Sequence, residues 1–387
     1  MEFELTEEQQ DFRDLAHDFA LNEMRPVAAE HDREGTWPGN VLAKAWELGL
    51  MNTRIDPEYG GAGLGLLSTC IIGEELAWGC PGITTCMGGN ELALTPLAIG
   101  GSDELKRRYL TRLTEAPRFA SFCLTEPGAG SDAASLRTTA VRRGDGYVIN
   151  GSKCFITNGS HADWYSVFAK TDPAAGHRGI SAFVVPREAG VIVDRVEDKM
   201  GHRASDTAAL SFNDVEVPAD HLIGVEGQGF SLAMETVDRT RPGVAAWATG
   251  IGRAAVELTS AYVNDRVQFG VPIANHQGIQ FMVADMATDV EASRMLTWRS
   301  AWLVDQGKGS SVASAHAKRF AAEAAMRVTT TAVQLHGGYG YLRTCPAEKL
   351  MRDAKLMAIY EGTDQMQKLV IARDTLSTSP EAVASRR

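Results

Sequence analysis

Apolar positions recur with a helical period at the N-terminal end of the chain. Phe12, Leu15, Ala16 and Phe19 follow Thr6-Glu7-Glu8-Gln9, which has the form of a capping box. Pro26 kinks or ends that helix, and Pro38 fits the first turn of another that stops at Gly49. Leu66 to Trp78 and Ser102 to Leu113 read as further helices. The pattern changes near Arg118. From there to about Val225, β-branched and aromatic runs are broken by turn residues. Gly146 to Thr157 reads as a hairpin turning at Asn150-Gly151, and Gly179 to Val185 and Ala208 to Phe212 read as strands. Beyond Gly229 the period is helical again and the helices lengthen. One runs from Phe230 through the 250s with a kink at Pro242, and His276 to Val304 and Ser311 to Leu335 follow, rich in Ala. Short loops between them favour antiparallel packing. The last dozen residues read as frayed. The expectation is an α+β fold, mainly α, in three parts: an N-terminal helical domain over 1–118, an antiparallel β-barrel or sandwich domain over 119–228, and a C-terminal helical bundle over 229–387.

Composition narrows the class. The 387 residues allow more than one domain, and 44% hydrophobic with 22% charged residues is the balance of a soluble globular protein. A net charge of -11 with interspersed signs argues against a nucleic-acid partner. The six cysteines are scattered without a C-x-x-C, and the nine histidines are isolated, so neither disulfides nor a metal site is expected. No apolar run is long enough to span a membrane and no signal peptide is evident. A cytoplasmic protein is expected, or a mitochondrial matrix protein stripped of its presequence.

Chemistry concentrates in a few stretches. Glu361, in Ala358-Ile-Tyr-Glu-Gly-Thr-Asp-Gln365, falls between two helical segments, with Ile359 and Tyr360 placed to shield it from water. Burial would raise its pKa by roughly one to three units towards the range of a general base. A surface Glu in a linker is the alternative. Gly128-Ala-Gly130-Ser-Asp-Ala133 fits a loose dinucleotide pattern, but strand-like sequence follows it, which rejects a Rossmann turn. It offers backbone N–H groups after Thr125 to a polar ligand edge, or is a plain tight turn. Arg266-Val-Gln-Phe269-Gly270 could grip a phosphate and cover an adenine, or Arg266 could cap a helix end. Gln334-Leu-His-Gly337-Gly338-Tyr-Gly340 breaks a helix so that a ligand or another backbone can come close, or is a simple C-cap. Asp238-Arg-Thr240-Arg241-Pro242 puts two arginines near a kink, or on a solvated face.

Together these segments resemble the acyl-CoA dehydrogenase family, its medium-chain members most closely, over nearly the whole chain. The motifs that carry the resemblance are Cys123-Leu-Thr-Glu-Pro-Gly-Ala-Gly-Ser-Asp132, Asn150-Gly-Ser-Lys-Cys-Phe-Ile-Thr-Asn-Gly159, Arg266-x-x-Phe-Gly270, Gln334-x-x-Gly-Gly338 and Tyr360-Glu-Gly-Thr363. The resemblance implies non-covalent FAD without a Rossmann fold and a C-terminal four-helix bundle. It implies that Phe122, Leu124, Thr125, Gly130 and Ser131 line the flavin, with Phe155, Ile156 and Thr157 along the ring. It implies that Arg266, Phe269, His276, Gln277, Gln334, Gly337 and Gly338 hold the adenosine diphosphate half, several of them from a neighbouring subunit, and that Thr363 and Gln365 also touch FAD. That sharing implies a homo-oligomer, a tetramer built as a dimer of dimers. For the acyl-CoA it implies Ser131, Asp238, Thr240, Arg241, Tyr360, Gly362 and Arg373. Some members carry the base at the position of Thr240; here Glu361 takes that role.

The implied reaction is α,β-dehydrogenation of a saturated acyl-CoA to the trans-2-enoyl-CoA, with electrons passed to an electron-transfer flavoprotein. An acyl-CoA oxidase, a non-catalytic FAD- or CoA-binding subunit and a flavin monooxygenase are the competing readings. The sequence departs from the medium-chain pattern at Gly88, where a Glu closes the acyl pocket; a deeper pocket for longer or bulkier chains is expected.

Overall fold

The structure, a computed structural model, describes residues 4–377. The expectation for the last dozen residues falls outside this range, except at Leu376 and Ser377, which belong to the final helix. Helices α1 (Glu7–Phe19), α2 (Arg25–Glu34), α3 (Gly39–Glu47), α4 (Leu66–Gly79), α5 (Pro81–Gly100) and α6 (Asp103–Glu115) come first. Strands β1 (Phe119–Cys123), β2 (Thr139–Arg143), β3 (Gly146–Thr157), β4 (Ala162–Lys170), β5 (Ile180–Pro186), β6 (Ile192–Val196), β7 (Thr207–Pro218) and β8 (Leu222–Ile223) follow. Then come α7 (Gly229–Asp265), the short pair β9 (Val267–Gln268) and β10 (Val271–Pro272), α8 (Gln277–Asp305), α9 (Ser311–His336), α10 (Pro346–Met357) and α11 (Asp364–Ser377). The described residues gather into two compact units. One draws on 4–29, 66–81 and 241–377, the other on 30–65 and 82–240.

The first unit is helical. Thr6 and Gln9 cap α1 reciprocally, Gln9 N donating to Thr6 Oγ1 at 3.2 Å and Thr6 N to Gln9 Oε1 at 3.1 Å. A π-helical turn, Ala20–Met24, absorbs the backbone mismatch before Pro26, which lies in the first turn of α2. Small residues let the long helices approach. A Cβ on Gly79 would stand 2.8 Å from that of Ala20, and one on Gly250 would stand 2.2 Å from Glu74 O. Helix α9 turns a mostly small-residue stripe inward, with Ala315, Ala322, Ala325 and Thr329 buried. Lys318 is on the same stripe, its side chain fully buried.

The second unit is built on an eight-stranded sheet ordered β6-β7-β3-β2-β4-β5-β8, with β1 also on β4. Most pairings are antiparallel, but β1–β4 and β2–β4 are parallel. Both faces of β4 are covered. Trp164 and Phe168 pack with Tyr109, Leu110 and Leu113 of α6, and Tyr165 and Val167 pack with Ile149, Phe183 and Phe212 of the sheet. That double burial is why its sequence shows a continuous apolar run instead of alternation.

One expectation is corrected here. Asn150-Gly151 does not turn a hairpin, because β3 runs straight through it from Gly146 to Thr157. The chain reverses instead before β3, where Arg143 pairs with Gly146 and Gly144 has φ +59°. Asn150 is held within the strand by Asp214, through Nδ2 to Oδ1 at 3.0 Å and Asp214 N to Asn150 Oδ1 at 2.9 Å. Gly151 marks a bulge in the β3–β7 register, and its bare Cα lets Thr138 approach: a Cβ there would meet Thr138 Oγ1 at 2.4 Å.

Candidate active site

The junction between α10 and α11, residues 358–363, holds two consecutive residues of left-handed backbone. Glu361 has φ +51° and Gly362 +89°. For Glu this conformation costs on the order of 1–2 kcal/mol, so the surroundings must hold it. Several groups do. Arg241 Nε donates to Glu361 O at 3.0 Å, Lys318 Nζ to Gly362 O at 2.9 Å, and Gln367 Nε2 to Gly362 O at 3.0 Å. Asp364 N closes the loop onto Ala358 O at 3.1 Å, and Thr363 Oγ1 caps α11 by accepting from Met366 N at 3.3 Å. Lys318 also reaches Asp364 Oδ1 at 3.1 Å. Burial pushes the Lys318 ammonium below the usual lysine range, against the opposing pull of Asp364 and Glu361. Burial likewise pushes the Asp364 carboxyl up, against Lys318.

Ile359 does not supply its part of the expected shield. Ile359 is 51% exposed, and Glu361 is half-buried. The last turn of α10 continues through Ile359 N and Tyr360 N, both donating to Leu356 O, which keeps Ile359 off the buried stripe of Ala347, Leu350, Ala354 and Met357. Ile359 instead lines an open cleft of about 1020 Å³ together with Thr363, Gln365, Glu323, Arg327 and Lys355. Tyr360 is half-buried, its hydroxyl 3.5 Å from Met357 Sδ. Arg373 lies exposed on α11. In the arginine pair of α7, Arg239 is partly solvated and bound to Glu235 at 2.6 Å, whereas Arg241 is buried. Thr240 is buried and Asp238 half-buried on the same helix.

A second group forms where α7, α8 and α9 end or begin. Arg266 closes α7, and β9–β10 turn at Phe269 (φ +54°) and Gly270 (φ +81°), which leaves the Phe269 ring 95% exposed. His276 precedes α8, its ring edge-on to Phe269, and Gln277 is exposed. Gly337 and Gly338 break α9 beside Tyr339, over whose ring the Arg266 guanidinium sits at 5.8 Å. Arg266, Gly337 and Gly338 line one cleft of about 440 Å³. Gln334 is exposed one turn before it. Two observations fit a nucleotide diphosphate at this position. His276 Nε2 is buried without a hydrogen-bond partner, and nothing lies within 4 Å of where a Cβ on Gly337 or Gly338 would stand.

A third group belongs to the sheet. Cys154 N donates to Thr125 O at 3.0 Å and Ser121 Oγ to Thr157 O at 2.7 Å, so the chain leaving β1 lies along the end of β3. Phe155 is held at φ +57° with its ring 67% exposed. Ile156 and Leu124 are core residues, 1% and 9% exposed, so only their main chains remain for a ligand. Phe122 packs against Phe168, with ring centroids 4.9 Å apart. Gly130 and Ser131 are exposed beyond a turn closed by Glu126 and Ala129. Gly88 is half-buried on α5; its neighbour Gly89 abuts β3, where a Cβ would meet Thr157 Cγ2 at 3.0 Å.

The motif reading passed over the residues that hold these loops. Lys153 is 1% exposed and donates to Leu124 O (3.0 Å), Glu126 Oε1 (2.9 Å) and Phe168 O (2.8 Å). Glu126 also accepts from Arg137 N and Thr138 N. Burial alone would raise the Glu126 carboxyl, but Lys153 and those N–H donors hold it below the usual range. The clue for Lys318 was a lysine on the small-residue stripe of a helix. The left-handed Phe155, Phe269 and Glu361 carry no sequence signal, because none is Gly or Asn.

The family models for the acyl-CoA dehydrogenase N-terminal, middle and C-terminal domains match residues 6–116, 121–215 and 227–376. The chain is 46% identical to cyclohex-1-ene-1-carbonyl-CoA dehydrogenase of Geobacter metallireducens, covering 96% of this chain and 99% of that one. It is 44% identical to the short-chain-specific acyl-CoA dehydrogenase of Clostridium acetobutylicum, with the same coverage. The structure of butyryl-CoA dehydrogenase from Megasphaera elsdenii superposes with a TM-score of 0.95 at 42% identity, covering 97% and 100%. The chain belongs to the acyl-CoA dehydrogenase family, a family of FAD-dependent oxidoreductases.

Proposed function

We propose that this protein removes the α-proton and β-hydride of a saturated acyl-CoA thioester to give the trans-2-enoyl-CoA, with Glu361 as the base. The observation that carries this is the junction itself: a carboxylate on a strained backbone, with the carbonyls of Glu361 and Gly362 tied to Arg241, Lys318 and Gln367. Such a placed base contributes roughly 10²–10⁴-fold. The Glu361 backbone N–H stabilises the thioester oxygen as it gains enolate character, and one such donor is worth roughly 3 kcal/mol.

FAD is the proposed cofactor, bound non-covalently, and it would supply the acceptor for the hydride. The residues of this chain that would hold it are Phe122, Thr125, Phe155 and Thr157 at the ring, and Arg266, Phe269, His276, Gln334, Gly337 and Gly338 at the diphosphate end. Two copies of the chain would contribute the two ends, within a homotetramer, and an electron-transfer flavoprotein would take the electrons. Asp238, Thr240, Arg241 and Gly362 are proposed to bind the acyl-CoA, with domain boundaries near residues 118 and 228. A cytoplasmic or matrix location is proposed, and no helix among the described residues is long and apolar enough to cross a membrane.

The test is Glu361→Gln. It should bind FAD and acyl-CoA normally and lose at least about a thousandfold in turnover. A variant that keeps a tenth of the rate would move the base elsewhere.

A further inference from the structure

We propose that Lys318 is a positioning residue for the base: its ammonium, paired with Asp364, clamps the Glu361–Gly362 backbone in its left-handed form and supplies a positive charge beside the Glu361 carboxylate. This rests on Glu361 being the base.

The geometry is specific. Lys318 is the buried lysine of a stripe on α9 made mostly of alanines, and its hydrogen bonds go to the junction, at Gly362 O (2.9 Å) and Asp364 Oδ1 (3.1 Å). A buried ammonium is costly unless each proton finds an oxygen. A methionine of similar length would fill the space without that cost, so the charge is explained by what it holds. The junction needs such a clamp because Glu361, at φ +51°, would otherwise relax to a commoner backbone and carry its carboxylate away. Arg241 grips the preceding carbonyl, so the two cations divide the strained pair between them, one from α7 and one from α9.

The charges around the junction set the sign of the pH effect. Lys318 faces it from α9 and Arg241 from α7, and Asp364 opens α11. Glu323 of α9 and Lys368 of α11 act on Asp364, and Lys355 of α10 lines the neighbouring cleft. Lys318 and Glu361 attract, which favours the ionised base. Removing the ammonium therefore raises the pKa of Glu361, and the rising limb of the rate moves to higher pH.

The experiment compares Lys318→Met, Lys318→Arg and the double variant Lys318→Met/Asp364→Asn, which leaves no unpaired buried charge. Expected for Lys318→Met are a fall in kcat of thirtyfold or more, a KM for acyl-CoA within threefold of the parent, and a rising pH limb displaced upward. The double variant should fold as well as the parent yet remain slow, and Lys318→Arg should recover part of the rate and the original limb. Hydrogen exchange across 358–367 of the flavin-free proteins should accelerate in both Met variants. The proposal is overturned if the double variant turns over at the parental rate, if the pH limb of Lys318→Met does not move, or if exchange in 358–367 is unchanged. Glu361→Gln is run alongside: if it stays active, the assignment of the base fails, whatever Lys318 does.

Discussion

Lys153→Met tests whether the buried ion pair beneath the loop after β1 is a working part of the fold. The Lys153 side chain is fully buried and that of Glu126 is 7% exposed, so solvent screening does little to weaken the pair. The substitution keeps the length of the side chain and removes its charge. It strands Glu126, which retains its two backbone donors but loses its cation, and it leaves Leu124 O and Phe168 O without the ammonium. Breaking one side of a buried pair costs roughly 3–5 kcal/mol. Removing both charges avoids the stranded carboxylate, so Lys153→Met/Glu126→Gln should recover about half of the loss. The pH dependence follows from the signs. In the parent, Lys153 and the backbone donors hold the Glu126 carboxyl below its ordinary value, which stabilises the fold above that value and is lost as the pH falls. Without Lys153, burial dominates and raises the carboxyl, which penalises the fold at neutral pH and is relieved as the carboxyl protonates. The gap between parent and variant should therefore be widest near pH 7 and narrow as the pH falls towards about 4–5. Urea unfolding followed by far-UV circular dichroism across that range measures it. A gap below about 1 kcal/mol at pH 7, or one that widens on acidification, would refute the reasoning.

Arg266→Ala should weaken FAD by about 10- to 100-fold, the worth of a charge-assisted bond to phosphate, as measured by flavin titration of the apoprotein. Gly88→Glu should shift the acyl-chain optimum towards shorter substrates in a dye-coupled assay; an unchanged profile would separate Gly88 from the acyl pocket. Both Glu91 carboxyl oxygens are buried, and burial pushes the group up against the pull of the Arg54 charge and backbone N–H. A carboxyl raised on folding costs stability as the pH rises above its unfolded value. Glu91→Gln should thus stabilise the protein by about 1 kcal/mol at pH 8 and by little at pH 4, in the same urea experiment.

Periodicity located most of the helices of this chain, because a 3.6-residue stripe and a proline or glycine stop are local properties, but it missed α5, which is buried on nearly every side and so shows no polar face. The α10–α11 junction that holds Glu361 and the break of α9 at Gly337 were legible for the same reason. The Asn150-Gly151 dipeptide misled, since its turn preference is local while the pairing of β3 with β7 through Asp214 is not. Nor could sequence spacing show Lys153 bonded to Glu126, or Lys318 bonded to Asp364, across 27 and 46 residues. The candidate binding and reacting residues announce themselves by type and motif. What aims them is a set of buried charges and left-handed backbones at Phe155, Phe269 and Glu361, and these are stable only when contacts from distant segments over-determine them. Composition and order along the chain therefore decided the elements and the candidate chemistry. Packing decided the register, the strain and the clamp on the base, because each depends on the free energy of groups that meet only in three dimensions.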